Sequence, residues 1–364
     1  MRILFVLGGL RIGGYEILSV QIANELAVRG NTVAILSLSA DSHIIERVNT
    51  NVEVFSINRY FKYDLSFPFR VSKLIKRFNP DAVLCCAFLP YLMVRFASIL
   101  VSRRISFFLA FHVTEPFNCR DDRWNYIFAA LSRPFKDKYI AIHSSQVDFY
   151  CTRYGLQRQR FSIIHNGVDV QYFSPADIKN HHKILRICHV ASLKPLKDQW
   201  TLLKAMEELD KSFKTWELRI IGADEANVLA SYIKFAQVHK IASKIRFLGA
   251  VDDIRRLLWD SDIFVLTSVT EACPMSLIEA LAVGLPCVAT DVGGIRDIVE
   301  DGKEGFLVQV GDYRQIAKYI AFLAFELERR KQMSLAARAK ALAHFTFRGM
   351  IEKYCHLLNG SLQL

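Results

Sequence analysis

Two carboxylates eight residues apart, Glu271 and Glu279, bracket a strand-to-helix turn in the stretch TEACPMSLIEALAVGLPCVATDVGG (270–294). The apolar run upstream (263–266) reads as a strand, and after Pro274 the apolar spacing turns helical. Pro274 suits the first helical position, where its missing N–H costs nothing. The free N–H groups of Met275 and Ser276, with the helix dipole behind them, then form a site for an anion such as a diphosphate. Glu279 stands four residues beyond Met275, on the same helix face. A carboxylate there can accept two hydrogen bonds from a vicinal diol such as a ribose. Glu271, outside the helix, faces whatever hangs beyond the phosphates. Two acids separated by the length of a diphosphate imply a nucleotide–diphosphate–sugar.

Such a turn needs a parallel sheet beneath it, and the chain alternates accordingly. RILFVL (2–7), TVAILSL (32–38), VEVFSI (52–57), AVLCCA (82–87), ISFFLAF (105–111), KYIAIH (138–143) and FSIIHNG (161–167) read as strands. A helix over 15–29 is closed by Gly30. The polar, aperiodic stretch VQYFSPADIKNHHK (170–183) marks a domain boundary. Beyond it ILRICHVAS (184–192), ELRIIG (217–222), KIRFLGA (244–250) and DIFVLTS (262–268) alternate with helical patterns around 201–209, 227–239 and 252–259. The expected fold is α/β, with two tandem Rossmann-like doubly wound domains facing a central cleft. Residues 1–172 form the expected first domain and 183–343 the expected second, which carries the Glu271–Glu279 turn. An amphipathic helix at 344–364 is expected to pack back on the first domain.

At 364 residues, 52% of them hydrophobic and 23% charged, the chain is globular and long enough for two cores. Eight scattered cysteines without a CxxC pair, and an apolar start that runs straight into a glycine turn, point to reduced thiols in the cytoplasm. The longest charge-free apolar run, 82–94, falls short of the about 20 residues that a spanning helix needs. The net charge of +11 is uneven, since residues 1–175 carry 21 Lys+Arg against 13 Asp+Glu. A basic first half fits an anionic partner. The basic, aromatic stretch 59–78, with Arg103 and Arg104, could lie on an anionic membrane surface, which would make the protein peripheral on the inner face of the cytoplasmic membrane. The bland alternative is an ordinary helix and loop packed on the sheet. No nucleic-acid module is visible.

EACPMSLIEALAVGLPCVATDVGG resembles the E-x7-E region of the family 4 glycosyltransferases, retaining enzymes of the GT-B fold, and the resemblance spans the chain. GGLRIGGYE (8–16) is similar to that family's glycine-rich first loop, AFHVTEPF (110–117) to its histidine-bearing strand end and IHNGVD (164–169) to its interdomain turn. VASLKPLKDQ (190–199) resembles its phosphate loop and DGKEGFLV (301–308) its strand after the E-x7-E. The resemblance implies that Glu279 holds the ribose hydroxyls, that Glu271 meets the donor sugar and that Lys197 neutralises the phosphates. It implies that His112 touches the sugar from the other domain, and that Gly13 and Gly14 let the backbone approach the diphosphate. Catalytic roles thus fall on Glu271, His112 and Lys197. Donor binding falls on Glu279, Ser192, Lys194, Gly13, Gly14, Pro274, Met275 and Ser276. One position departs from the pattern: Ser192 stands where the family carries an arginine, with Lys194 as a substitute charge.

No cofactor and no metal are expected, because Lys197 and a helix N-terminus can neutralise the leaving nucleoside diphosphate. The Asp260–Ser261–Asp262 triplet precedes a strand, at the wrong end of a parallel sheet for such a site. No convincing carboxylate nucleophile is visible, so a front-face displacement is preferred, in which the leaving phosphate helps deprotonate the acceptor. The implied donor is a UDP-sugar and the acceptor a glycan or lipid-linked molecule of cell-surface polysaccharide or lipopolysaccharide assembly. Two rivals stand beside this reading: a sugar-nucleotide epimerase of the same fold, and a non-catalytic nucleotide-sugar-binding protein. Taken singly, Glu279 and Lys197 would be surface residues, His112 a core-edge histidine and Cys273 filler.

Overall fold

Apolar runs of three to six residues, most of them followed by a helix, build two all-parallel sheets in a computed structural model. The structure describes residues 1–10, 13–58, 64, 66–101, 104–112, 119–176 and 184–360. By its internal contacts the chain divides into two units, residues 1–165 with 350–364, and residues 166–349.

In the first unit the strands are β1 (Arg2–Leu7), β2 (Thr32–Ser37), β3 (Val52–Ser56), β4 (Ala82–Cys85), β5 (Ser106–Phe111), β6 (Lys138–Ala141) and β7 (Phe161–Ile163). Their order across the sheet is β3-β2-β1-β4-β5-β6-β7. Helix α1 (Gly14–Val28) follows β1, with Leu18, Ile22, Ala23 and Leu26 buried at helical spacing. Helices α2 (Phe67–Phe78), α3 (Phe88–Ile99), α4 (Cys119–Ser132) and α5 (Ser144–Tyr154) pack in sequence, each against the next. Right-handed crossovers put these four on one face of the sheet.

In the second unit β8 (Leu185–Val190), β9 (Trp216–Ile221), β10 (Ile245–Phe247), β11 (Ile263–Leu266), β12 (Cys287–Thr290) and β13 (Gly305–Val308) stand in the order β10-β9-β8-β11-β12-β13. Around them lie α6 (Gln199–Ser212), α7 (Leu229–Val238), α8 (Arg255–Trp259), α9 (Met275–Ala282), α10 (Ile295–Ile298), α11 (Tyr313–Phe325) and α12 (Leu327–His344). Helix α13 (Phe347–Asn359) closes the chain, burying Met350, Ile351, Tyr354 and Leu358, and from Met350 onward it groups with the first unit.

The division falls seven residues before the expected end of the first domain. Backbone pairing accounts for this. The Val168 N–H donates to the Phe345 carbonyl at 2.9 Å, and the Phe347 N–H to the Val168 carbonyl at 2.8 Å. The Arg338 guanidinium adds bonds to the carbonyls of Val170 and Phe173, both at 3.0 Å. Residues 166–174 are thereby tied to the second unit.

The apolar run 82–94 is two elements, β4 and the start of α3, with Pro90 tolerated in the helix's first turn. Within the basic stretch 59–78, residues 59–63 and 65 lie outside the described residues, as does Arg103. Helix α2 buries Phe67, Val71, Leu74, Ile75 and Phe78 and exposes Phe69, so most of its apolar side chains serve the core. Among the described residues no helix is long and apolar enough to cross a membrane.

Candidate functional site

Adjacent parallel strands β8 and β11 both end at loops on the same edge of the second sheet, and their pairing sets Lys197 beside Glu271. After β8 the chain makes a short 3-10 turn over Pro195–Lys197, and Asp198 takes a left-handed conformation with φ +44°. That turn starts α6, whose Thr201 N–H and hydroxyl both bond the Asp198 carboxylate. The Thr267 hydroxyl at the end of β11 reaches the carbonyls of Lys197 and Asp198 at 3.1 and 3.0 Å. Held in this way, the Lys197 ammonium lies 2.5 Å from Glu271 Oε1. The Ser268 hydroxyl donates to the same oxygen at 2.6 Å. Glu271 is 8% exposed, and its Oε2 has no partner among the described residues.

Helix α9 starts one residue later than expected. Pro274 is its N-cap, with extended backbone, and not its first helical residue; the cap offers no side-chain acceptor. The N–H groups of Met275 and Ser276 have no partner among the described residues, and the first turn holds no acid. One turn on, Glu279 is half-buried and also without a partner among them; burial pushes its carboxyl up to about 7.

Several residues that fix this arrangement escaped the sequence reading. A side chain at Gly293, where φ is +50°, would collide with the Glu271 carbonyl, and the Gly294 N–H donates to that carbonyl at 3.2 Å. Asn166 Nδ2 donates to the Cys273 carbonyl at 3.0 Å, just before the N-cap. The Cys273 thiol is buried and pushed up to about 12, so it stays protonated. Buried His189 donates from Nδ1 to the Val265 carbonyl at 2.9 Å, and burial holds it near 4, neutral. Gln199 Nε2 reaches His189 Nε2 at 3.3 Å and the Ser192 carbonyl at 3.0 Å, pinning the loop through its backbone. The Thr and Ser at 267–268 and the glycine pair at 293–294 stood in the quoted motifs. Gln199 and His189 also stood in quoted stretches, 190–199 and 184–192, but nothing in either stretch shows that the two meet.

Ser192 therefore enters through its carbonyl. The Lys194 ammonium is turned aside to an exposed pair with Glu225 at 3.2 Å, so it is not brought to Glu271 and Lys197. The carboxylates of the Asp260–Ser261–Asp262 triplet are held by arginines: Asp260 pairs with Arg186 and Arg219, and Asp262 accepts the Arg186 N–H at 2.9 Å.

In the first unit His112 follows β5 and stacks on Tyr15 of α1, with ring centroids 5.5 Å apart. Burial holds its imidazole near 4, neutral at pH 7. Gly13 caps α1 in extended conformation, and a side chain there would collide with the Glu16 carboxylate. Glu16 is buried, and its Oε2 has no hydrogen-bond partner among the described residues. A side chain at Gly14 would meet open space.

Residues 12–172 match the family described as Glycosyltransferase Family 4, and residues 174–340 the family described as Glycosyl transferases group 1. The N-acetyl-alpha-D-glucosaminyl L-malate synthase of Bacillus anthracis is 23% identical over 368 residues, covering 94% of this chain and 93% of its own. The putative colanic acid biosynthesis glycosyltransferase WcaL of Escherichia coli is 32% identical over 174 residues, covering 46% of this chain and 43% of its own. Among solved structures, Anabaena HepE in complex with UDP superposes with a TM-score of 0.88 at 18% identity, covering 99% of this chain and 100% of that one.

Proposed function

We propose, from the premise that this chain belongs to the family 4 glycosyltransferases and has their GT-B fold, that it moves a hexose from UDP to a glycan or lipid-linked acceptor with retention and without a metal. The observation that carries the reading is the second unit's run of three groups. Glu271 tied to Lys197, the open amides of α9 and the unpartnered Glu279 follow one another as a sugar, a diphosphate and a ribose would. Glu279 accepts the ribose diol. The amides of Met275 and Ser276 take the phosphates, and Lys197 gains a share of the charge that develops as the glycosidic bond breaks. Glu271 Oε1 is held by Lys197 and Ser268, which leaves Oε2 for a sugar hydroxyl. His112 of the first unit is neutral, so a hydrogen bond from it adds no charge.

Retention without a second carboxylate is written as a front-face displacement. The C1–O bond to the diphosphate breaks, the acceptor oxygen bonds to C1 on the same face, and its proton passes to the leaving phosphate oxygen. A UDP donor is supported by the likeness to HepE with UDP, and an acceptor in cell-surface polysaccharide assembly by the likeness to WcaL.

Thermal shift and hydrolysis against UDP-, GDP-, ADP- and dTDP-sugars, with and without EDTA, test the donor site. A UDP-sugar is expected to raise Tm with EDTA present and to lose that effect in Glu279→Ala. Its affinity is expected to weaken as pH falls below about 7, where Glu279 takes a proton, and to be flat with pH in Glu279→Gln. An inverted anomer in the product would refute retention, and activity lost to EDTA would refute metal independence.

A further inference from the structure

Helix α3 carries a stripe that its own core does not use. Leu89 and Phe96, with Leu100 at the helix's C-cap, are exposed on the side away from buried Tyr91 and Val94, Phe96 meeting Phe135 edge-on; Ile99 beside them is 62% exposed. Helix α4, packed against α3, carries a second stripe of Trp124, Ile127 and Leu131, with Trp124 stacked on Phe128 and 53% exposed. Scattered exposed apolar side chains are ordinary, but two such stripes on neighbouring helices of one sheet face are not.

The charge around them has one sign. Lys73, Lys76 and Arg77 are exposed on the last turns of α2, which also packs on α3, and Arg104, Arg133 and Lys136 are exposed just beyond the ends of α3 and α4. Among the acids from 67 to 138 whose side chains the structure describes, none is exposed. Asp81 and Asp122 are half-buried, Asp122 pairs with Arg153, and Asp137 is buried against Tyr91 and Arg95. Cations at helix C-termini complement the dipole, which accounts for the bases and leaves the apolar stripes unexplained. A second copy of this chain would bring like charge against like charge. An anionic bilayer meets both features, since its headgroups take the bases and its acyl boundary the apolar side chains.

We infer that the α3–α4 face, with the lysines of α2 at its side, docks the protein on an anionic lipid surface. The docking is independent of the donor site, so the two readings fail separately. The expected source of the attraction is the face named here and not the aromatic stretch 59–78 as a whole, whose described apolar residues are mostly buried.

Flotation of the full chain with vesicles tests it, using phosphatidylcholine alone and phosphatidylcholine with roughly a third phosphatidylglycerol. Binding is expected to the anionic vesicles, to be at least about tenfold weaker to the neutral ones, and to fall with salt. Phe96→Ser/Ile99→Ser/Trp124→Ser, at unchanged Tm, and, separately, Lys73→Glu/Lys76→Glu/Arg77→Glu, still folded but with Tm lowered by the lost dipole complement, are each expected to lose binding about tenfold or more. Phe325→Ser/Leu335→Ser, equally exposed in the second unit, is the control and should bind as wild type. The inference is overturned if wild type does not float with anionic vesicles, or if both face variants float as well as it does. It is also overturned if wild type is a dimer that the apolar variant makes monomeric, because a second copy then covers the face.

Discussion

Two helix N-termini in this molecule follow glycine- or proline-bearing loops, and they are built in opposite ways. At α9 in the second unit the first turn holds no acid, the amides of Met275 and Ser276 are open, and the glutamate stands one turn further on. At α1 in the first unit Glu16 already fills the first turn, its buried carboxylate curled against Gly13. The amides of α9 thus lie open to an anion, whereas at α1 a carboxyl group stands among the first amides. Around Glu271 each turn is pinned by hydrogen bonds, and near α1 the Tyr15 ring stacks on His112.

The strongest attack on this contrast is Lys197→Ala, expected to lower turnover about 10²–10³-fold, as losing a charge-stabilising donor does. Glu16→Gln should leave donor affinity within about threefold, and a tenfold gain would make α1 a phosphate site after all. Next come two glycines. Gly293→Ala forces a side chain into the Glu271 carbonyl at a left-handed position and should cost about 2 kcal/mol or more in chemical denaturation. Gly14→Ala, in open space at a helix start, should stabilise by about 0.5–1 kcal/mol.

Glu279 supplies a pH test. Its folded-state carboxyl, near 7, lies above the ordinary 4.5, so the fold binds a proton more tightly than the unfolded chain. Stability is then highest below about 4.5 and declines as pH rises to about 7. Glu279→Gln should escape that decline, gaining on the order of 2 kcal/mol over wild type at pH 8 relative to pH 4, after allowance for partial exposure. Ser268→Ala removes a hydrogen bond to a carboxylate that Lys197 still holds, and should lower turnover about tenfold without changing donor affinity.

Much of this was legible in the chain. Strand positions followed from short apolar runs, the expected roles of Glu271 and Glu279 from their place relative to a strand-to-helix turn, and that of Lys197 from the resemblance of its loop. What escaped were pairings across distance. Gly293 answers to a carbonyl 22 residues earlier, and Gln199 and His189 meet only because β8 and α6 fold that way. Lys194 looked like a substitute for the missing arginine, yet Glu225, 31 residues on, captures it. Pro274 was misplaced by one residue because a proline suits either side of a helix's first position. The exposed stripes of α3 and α4 were hidden in plain composition, since an apolar residue facing solvent reads in sequence like one facing the core.

Cys273 lends itself to a different use. Its thiol sits in the turn that leads into α9, with its carbonyl tied to Asn166, and at a value near 12 almost none of it is thiolate at neutral pH. A cysteine-directed electrophile can react there only when the turn lets go and water enters. The alkylation rate of Cys273 is thus a clock for loop opening. A ligand that seats on the α9 amides should slow that clock, which gives a covalent footprinting readout of occupancy that needs neither a radiolabelled sugar nor a known acceptor.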